Sequence, residues 1–150
     1  MSVAFRRESD EEHKEPRFEL PIPFGPNLVT ERGMALIGER IATLEAARDG
    51  ADAETLEPIA RDLRYWRTRH ATAQLTAPPI DGSAGFGSIV EVTIAGKPRT
   101  IAIVGDDEAD PRADRLAFSA PLARALIGAE AGETVAFAGR DDAVVVIAVR

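Results

Sequence analysis

The hydrophobic residues of this chain follow a helical period first and a strand period later. In one early segment, apolar side chains recur three and four positions apart, at Met34, Ile37, Ile41 and Leu44. A second segment continues this spacing, at Leu56, Ile59, Leu63, Trp66, His70 and Ala73. One narrow apolar stripe per helix is typical of a coiled-coil seam, so the pattern predicts two helices packed along their stripes.

Capping residues predict where these helices begin and end. Thr30 precedes the first helix as a candidate N-cap, and Gly50 is predicted to end it in a left-handed conformation. Proline is tolerated only in the first turn of a helix, so Pro58 makes Thr55 the predicted N-cap of the second helix. The short connection, 49–54, then forces an antiparallel hairpin with arms of about 18–20 residues.

After residue 88 the hydrophobic period changes to two. Apolar and polar residues alternate through 90–94, a turn follows at 95–98, and 100–104 is predicted as the next strand. Further strands are predicted at 116–119, 134–138 and 143–149, with a turn at 139–142. Between them, Pro121 fits the first position of a short helix that ends at Gly128. A small antiparallel sheet carrying one short helix, preceded by the helical hairpin, gives an α+β fold class.

Composition divides the chain into four segments. Residues 1–27 are highly charged and hold four of the ten prolines, so we predict a disordered, acidic and proline-rich tail. The coiled-coil hairpin occupies 28–76, and the Pro- and Gly-rich stretch 77–87 is predicted to be a linker. The sheet domain occupies 88–150.

The overall composition excludes several classes of protein. The chain has no cysteine, which excludes disulfides, thiolate metal sites and thiol nucleophiles. Its net charge of −7 argues against a protein that coats duplex nucleic acid, because phosphate neutralisation needs clustered Lys and Arg. The longest apolar run, 143–149, is far shorter than the roughly 20 residues that span a bilayer. Residues 1–15 lack the apolar core of a signal peptide, so we expect a cytoplasmic protein with no membrane association.

Charge is graded along the predicted hairpin. Its tip, 49–57, carries four acidic residues and no basic one: Asp49, Asp52, Glu54 and Glu57. The returning helix carries four arginines: Arg61, Arg64, Arg67 and Arg69. Such runs fit either a solvated face or a tip that presents carboxylates to a partner, and the charge pattern leaves both interpretations open.

Motifs typical of enzymes are incomplete in this sequence. Residues 107–110 spell DEAD, but an ATP-driven helicase also needs a Gly-Lys-Ser/Thr phosphate loop, which the sequence lacks. The same acidic loop lacks the glycine and the closing glutamate of an EF-hand. Neither histidine is placed to activate a serine nucleophile, because His70 lies on the hairpin seam and His13 lies in the tail. These motifs therefore predict no helicase, EF-hand or serine-nucleophile site, and we expect no resident cofactor.

Two long runs in the C-terminal half are unusual. Residues 100–110 read TIAIVGDDEAD, and residues 116–128 read LAFSAPLARALIG. Together they resemble the C-terminal domain of the bacterial GreA/GreB transcription elongation factors. Residues 28–33, LVTERG, resemble the V-T-x-x-G helix start of the same family, and 64–66, RYW, lie where its second helix returns to the globular domain.

The resemblance implies a coiled coil joined to an FKBP-like domain, in agreement with the hairpin and the sheet. It further implies a monomeric regulator of transcription elongation, not itself an enzyme, with RNA polymerase as its partner. The C-terminal domain would bind the rim of the polymerase secondary channel, and nucleic acid would be met only through the polymerase. The residues matching this binding region are Asp107, Glu108, Asp110, Ser119, Ala120, Pro121 and Arg124.

The resemblance also implies a role for the hairpin tip. Asp49, Asp52 and Glu54 would enter the secondary channel. There Asp49 and Asp52 would transiently help to hold the second catalytic Mg²⁺, a shared ion in the polymerase active site, and the polymerase would cleave backtracked RNA.

Departures from the family pattern leave open whether the chain stimulates cleavage of backtracked RNA. The hairpin lacks about ten residues per arm, which removes about 15 Å of reach. Residues 49–54, DGADAE, replace the family's G-D-x-x-E-N-A-[ED]-Y tip, and Ala120 replaces a serine. The chain could stimulate cleavage of backtracked RNA. It could instead occupy the channel without cleavage, as an inhibitor or competitor similar to the short-hairpin regulator of nucleoside diphosphate kinase. An FKBP-like isomerase or chaperone is a third hypothesis, disfavoured because 82–150 contains no Trp or Tyr to line a peptide pocket.

Overall fold

A computed structural model describes residues 19–150 of the chain. Its first part is the expected hairpin, made of α1 (Glu31–Asp49) and α2 (Ala53–Thr72). The arms have 19 and 20 residues, close to the predicted lengths, and Ile37 and Leu63 are fully buried on their stripes. Within the described residues, no helix combines the length and hydrophobicity that crossing a membrane requires.

The two ends of α1 differ in how well the sequence predicts them. Thr30 is the N-cap as predicted, because its Oγ1 accepts the Gly33 N–H at 3.0 Å. Gly50 follows the last residue, but its φ of −105° is not left-handed, so this part of the prediction is wrong. The turn closes without a left-handed residue because the Ala51 N–H donates to the Arg48 carbonyl at 3.2 Å.

The predicted N-cap of α2 is also wrong. The cap is Asp52, whose carboxylate accepts the Thr55 N–H at 3.0 Å, and Pro58 lies inside the helix. A proline at this position removes the hydrogen bond to the carbonyl four residues earlier, that of Glu54. Glu54 is exposed, so water can satisfy its carbonyl, and the helix extends three residues further toward the tip than predicted.

The second part of the structure is a five-stranded sheet. Its strands are β3 (Ile89–Ile94), β4 (Lys97–Val104), β5 (Arg115–Ala117), β6 (Thr134–Phe137) and β7 (Arg140–Val149). They lie in the order β5-β4-β3-β7-β6, and all neighbours are antiparallel except β4 and β5. The α+β class is confirmed. The sheet is mixed and not wholly antiparallel, because the loop 105–114 is long enough to return the chain to the level of Ala102, so that β5 runs parallel to the last residues of β4.

Two-residue turns close both hairpins of the sheet. They lie at Ala95-Gly96 and Ala138-Gly139, where all four residues have positive φ. Such turns match the right-handed twist of the flanking strands. The predicted turns, 95–98 and 139–142, are longer than the observed ones because positive φ lets the chain reverse within two residues.

The core lies between one face of this sheet and α3 (Pro121–Leu126), which begins at Pro121 as predicted. The alternation of the strands supplies its fully buried side chains: Val90, Val92, Ile101, Ile103, Val144 and Val146. Ala84 is also buried in this core, and its N–H donates to the Ala129 carbonyl at 2.8 Å. The segment 77–87 is therefore not a free linker, because its C-terminal part belongs to the sheet domain.

A second, small sheet was not predicted. It pairs β1 (Leu28–Val29) with β2 (Gln74–Leu75) in parallel, at the two ends of the hairpin. Just before β1, Asn27 is buried, and its Nδ2 donates to the Arg69 carbonyl at 2.8 Å. Asn27, the last residue of the predicted disordered tail, is therefore fixed to the base of the hairpin, whereas Phe24 in the same stretch is fully exposed. The rest of that prediction, 1–18, lies outside the described residues.

Candidate functional site: the junction, the exposed edge and the tip

Glu108 fastens the start of α1 to the sheet domain. Its carboxylate is almost fully buried, with the Thr30 hydroxyl donating to Oε1 at 2.6 Å. Arg32 donates from Nη1 to Oε2 at 3.1 Å. Thr30 therefore has two roles, since its hydroxyl oxygen also caps α1.

Two glycines allow the backbones to approach each other here. A Cβ atom on Gly33 would lie 3.0 Å from Oε1 of Glu108, and a Cβ atom on Gly105 would lie 2.3 Å from the Leu28 carbonyl oxygen. The second distance is far below van der Waals contact, and backbone cannot give way as a flexible side chain can. Gly105 is thus required by close packing against β1.

This packing predicts opposite effects for two glycine-to-alanine substitutions. Gly105→Ala is expected to lower the free energy of unfolding by about 1–3 kcal/mol, because the added methyl group overpacks the junction. Gly38→Ala is the matched control: Gly38 lies exposed within α1, with nothing within 4 Å of an added Cβ. Since alanine favours the helix, the control should raise the free energy of unfolding by about 1 kcal/mol in the same urea titration. Equal effects of the two substitutions would contradict this account of Gly105.

Asp107 fastens α2 to the same loop. Its Oδ2 accepts Nε–H of Arg69 at 2.6 Å, and its Oδ1 accepts the Tyr65 hydroxyl. The ion pair is buried, with the Arg69 and Asp107 side chains 2% and 8% exposed. Burial raises the pKa of the Tyr65 phenol, and the hydrogen bond to Asp107 and the charge of Asp107 raise it further. Tyr65 therefore stays protonated and remains a hydrogen-bond donor near neutral pH.

A separate surface of the sheet domain stays open. Ser119, Pro121 and Arg124 are exposed, and Ala120 is half-buried. We call residues 119–124, which follow β5 and begin α3, the exposed edge. Ala120 is the N-cap of α3 but makes no side-chain capping bond.

Asp110 is exposed as well, and lies beside the start of β5. Its backbone exchanges two hydrogen bonds with Arg115, at 2.7 and 3.1 Å. The Asp110 carboxylate accepts no hydrogen bond from the described residues, so this side chain stays open to a partner.

The acidic tip of the hairpin is exposed, but one of its carboxylates is engaged. Asp52 accepts both the backbone N–H and the hydroxyl of Thr55, and the hydrogen bond from the backbone lowers the pKa of Asp52 most. Asp49 is the last residue of α1, and Glu54 is the second of α2. In the part of the chain that the structure describes, no three acidic or histidine side chains form a metal-binding group.

The family model for the C-terminal domain of the transcription elongation factors GreA and GreB matches residues 79–150. Residues 79–150 therefore form a GreA/GreB-type C-terminal domain. The GreA of Pseudomonas aeruginosa is 34% identical over 82 residues, which are 53% of this chain and 52% of that protein. The GreA of Ralstonia nicotianae is 43% identical over 68 residues, 42% of this chain and 43% of that protein. The chain thus spans about half the length of the curated relatives it matches.

One solved structure of a related factor also aligns with the chain. It is GreA factor homolog 1 of Thermus thermophilus, at 14% identity and a TM-score of 0.41, covering 84% of this chain and 99% of that one. The assignment of residues 79–150 to the GreA/GreB family rests on the family model and the sequence relatives.

The structure shows where the residues of the GreA/GreB-like motifs lie and which side chains they contact. The GreA/GreB resemblance predicts that Asp107 and Glu108 face the polymerase. In the structure, both carboxylates accept hydrogen bonds from side chains of the hairpin. In the free chain these two carboxylates hold the junction, and their contact with polymerase stays a prediction. The junction joins the VTERG and RYW motifs of the hairpin to the GDDEAD motif of the sheet domain, so three GreA/GreB-like motifs meet at one place.

The basic stem of the hairpin is largely paired within the chain. Arg64 lies 2.7 Å from a Glu19 carboxylate oxygen, and Arg67 lies 2.8 Å from one of Glu45. The hydrogen bond from Arg64 lowers the pKa of Glu19. Of the two interpretations that the charge pattern left open, these pairs favour the solvated face for the stem.

Proposed function

We propose that this chain binds RNA polymerase through the exposed edge and holds its short hairpin in the secondary channel without stimulating cleavage of backtracked RNA. It would act in the cytoplasm as a monomer and meet nucleic acid only through the polymerase. The observation that carries the proposal is a short hairpin fastened at its base to a domain that leaves the side chains of Ser119, Pro121 and Arg124 exposed.

The exposed edge supports the binding half of the proposal. Of the seven residues that the family resemblance assigns to the polymerase, Asp107 and Glu108 are engaged in the junction. The others are Asp110, Ser119, Ala120, Pro121 and Arg124, and all but half-buried Ala120 are exposed. Pro121 begins a helix and needs no N–H partner there, so the edge is a rigid platform with one cationic side chain, Arg124.

The length of the hairpin supports occupation of the channel without cleavage. A helix of 19 residues spans about 28 Å, and the resemblance implies about 15 Å more in the factors that stimulate cleavage. Metal ligation tolerates errors of only about 0.2 Å, so a tip that falls short by several residues contributes nothing to the ion. Asp52 also uses one carboxylate oxygen to cap α2.

The residues at the tip nevertheless fit a shared ion chemically. Mg²⁺ is commonly held by one or two carboxylates together with water and groups from the substrate. Asp49 and the free oxygen of Asp52 would be the donors, and the ion would supply Lewis-acid chemistry that belongs to the polymerase. Cleavage stimulation is therefore the alternative outcome that the experiment must decide.

No cavity favours the isomerase hypothesis. The cavity between the two tight turns of the sheet is lined by a single aromatic side chain, that of Phe137. Phe86 and Phe118 pack edge-to-face on each other, with ring centroids 5.5 Å apart. Among the described residues, the two cavities beside Thr30 also have no aromatic side chain in their lining, so none of these three cavities favours a peptide site.

Two assays on the full chain test the proposal. Co-elution with core RNA polymerase at low salt is expected, and failure to co-elute would overturn the binding half.

In stalled elongation complexes, the chain is expected to leave RNA cleavage at the rate of polymerase alone and to compete with a cleavage-stimulating GreA. Strong cleavage that disappears in the Asp49→Asn/Asp52→Asn double variant would contradict the second half. Asparagine caps a helix about as well as aspartate, so this variant removes charge while keeping the fold of the tip.

A further inference from the structure

We infer that Asp107 is a positioning residue that sets the angle between the hairpin and the C-terminal domain. Four side-chain hydrogen bonds cross between residues 19–76 and 77–150 in the described part of the chain, and all of them end on Asp107 or Glu108. The effect of this angle on the polymerase rests on the proposed function, whereas the inference that Asp107 sets the angle does not.

Asp107 and Glu108 each hold a different arm of the hairpin. Glu108 holds α1 at its first turn, through Thr30. Asp107 holds α2 near its end, through Tyr65 and Arg69, which lie four positions apart and therefore on one face of the helix. One attachment point would let the hairpin swivel about it, but two attachments on opposite arms fix its direction.

Arg69 connects this attachment to the rest of the hairpin base. Its guanidinium pairs with Asp107, and its backbone carbonyl accepts Nδ2 of Asn27. Asn27 in turn accepts the Gln74 N–H on its own carbonyl, beside the small parallel sheet. Removing the Asp107 charge therefore releases α2 from the domain while leaving the base of the hairpin bonded to itself.

The length of the hairpin makes small angles important. Along a lever of about 28 Å, a rotation of about 10° at the base moves the tip by about 5 Å. A displacement of that size exceeds the width of an ordinary contact, so a tip that is to occupy a defined place needs both attachments.

Distances between spin labels measure the angle directly. The chain contains no cysteine, so labels can be placed at will, on Ala53→Cys at the tip and Ala131→Cys on the sheet domain, both exposed. In the free full-length protein, double electron–electron resonance is expected to give one narrow distance distribution. Asp107→Asn, which keeps the size of the side chain, is expected to broaden it and shift its mean. An unchanged distribution in Asp107→Asn would overturn the inference.

Two further variants separate positioning from folding. Asp106→Asn is the matched control, because the neighbouring Asp106 carboxylate accepts no hydrogen bond from the described residues, and its distribution should stay narrow. Circular dichroism should report the same helix content for all variants. If Asp107→Asn does not fold, Tyr65→Phe replaces it, because this variant removes one hydroxyl from the same attachment. It should broaden the distance distribution, but by less than Asp107→Asn would. A distribution in Tyr65→Phe as narrow as that of the unchanged protein would also count against the inference.

A polymerase assay connects the angle to the proposed function. Tyr65→Phe, at a residue outside the seven assigned to the polymerase, is expected to co-elute with polymerase as the unchanged protein does, because the exposed edge is intact, but to compete less well with a cleavage-stimulating GreA. Retained competition, together with a broadened distance distribution, would show that the angle has no role in the channel and would overturn this part. If no form co-elutes, the proposed function fails, while the distance measurement still decides whether Asp107 sets the angle.

Discussion

Asp107→Ala is expected to lower the free energy of unfolding by about 3–5 kcal/mol, because it leaves the buried guanidinium of Arg69 without its counter-ion. The Tyr65 hydroxyl loses its acceptor at the same time. Urea denaturation followed by circular dichroism measures the change as a lower midpoint. An effect below about 1 kcal/mol would show that the pair contributes little to the junction, as is usual for exposed ion pairs.

A double variant tests the physical reason for this effect. If the cost comes from the charge left unpaired, Arg69→Met combined with Asp107→Ala should be less destabilising than the sum of the two single substitutions. Additive losses would point instead to packing around each side chain. Asp106→Ala serves as the control for acidity in the loop, and we expect it to change the free energy of unfolding by no more than about 0.5 kcal/mol.

Arg124→Glu is expected to weaken binding to core RNA polymerase by about a hundredfold, because reversing a charge within an interface places like charges together. Arg124 is exposed on α3 and makes no ion pair within the described residues, so stability should not change. Titration of labelled protein with polymerase measures the affinity. The salt dependence should also become weaker, since the lost interaction is electrostatic.

A charge reversal elsewhere on the domain controls for net charge. Arg140→Glu changes the charge of the protein by the same amount at an exposed position at the start of β7. Its affinity for polymerase should stay within about threefold of the unchanged protein, which is typical of a charge outside the contact area. Equal weakening by both reversals would mean that overall charge, and not the exposed edge, governs the interaction.

Local hydrophobic patterns in the sequence predicted most of the helices and strands. The three-and-four spacing identified both helices of the hairpin, and the alternation around Val92 identified the central strands, because each pattern reports one buried face. Patterns failed where a choice depended on the tertiary structure. Asp52 and Thr55 are both good caps, and only the folded hairpin decides between them. The strands β1 and β2 have two residues each, too few to show any period.

The site could be predicted only in part, for a similar reason. Resemblance to the GreA/GreB family located the important motifs, including the exposed edge around Pro121. It could not show that Glu108 bonds Thr30, because those residues lie 78 positions apart and no periodicity connects them. The one local signal was Gly105, which opens the turn closed by the Glu108 N–H but has no positive φ that would require glycine. Its requirement becomes clear once the Leu28 carbonyl is seen to lie against it.

The small parallel sheet has a consequence for how such proteins can diverge. By pairing Val29 with Leu75, it joins the chain just before the hairpin to the chain just after it. The hairpin is therefore a module anchored at both ends, and residues can be gained or lost at its far end without moving the domain that carries it. Insertions of seven residues per arm preserve the apolar stripe, and each pair of insertions extends the hairpin by about 10 Å. Matched shortening of both arms would be one simple evolutionary route from a long hairpin to one of this length.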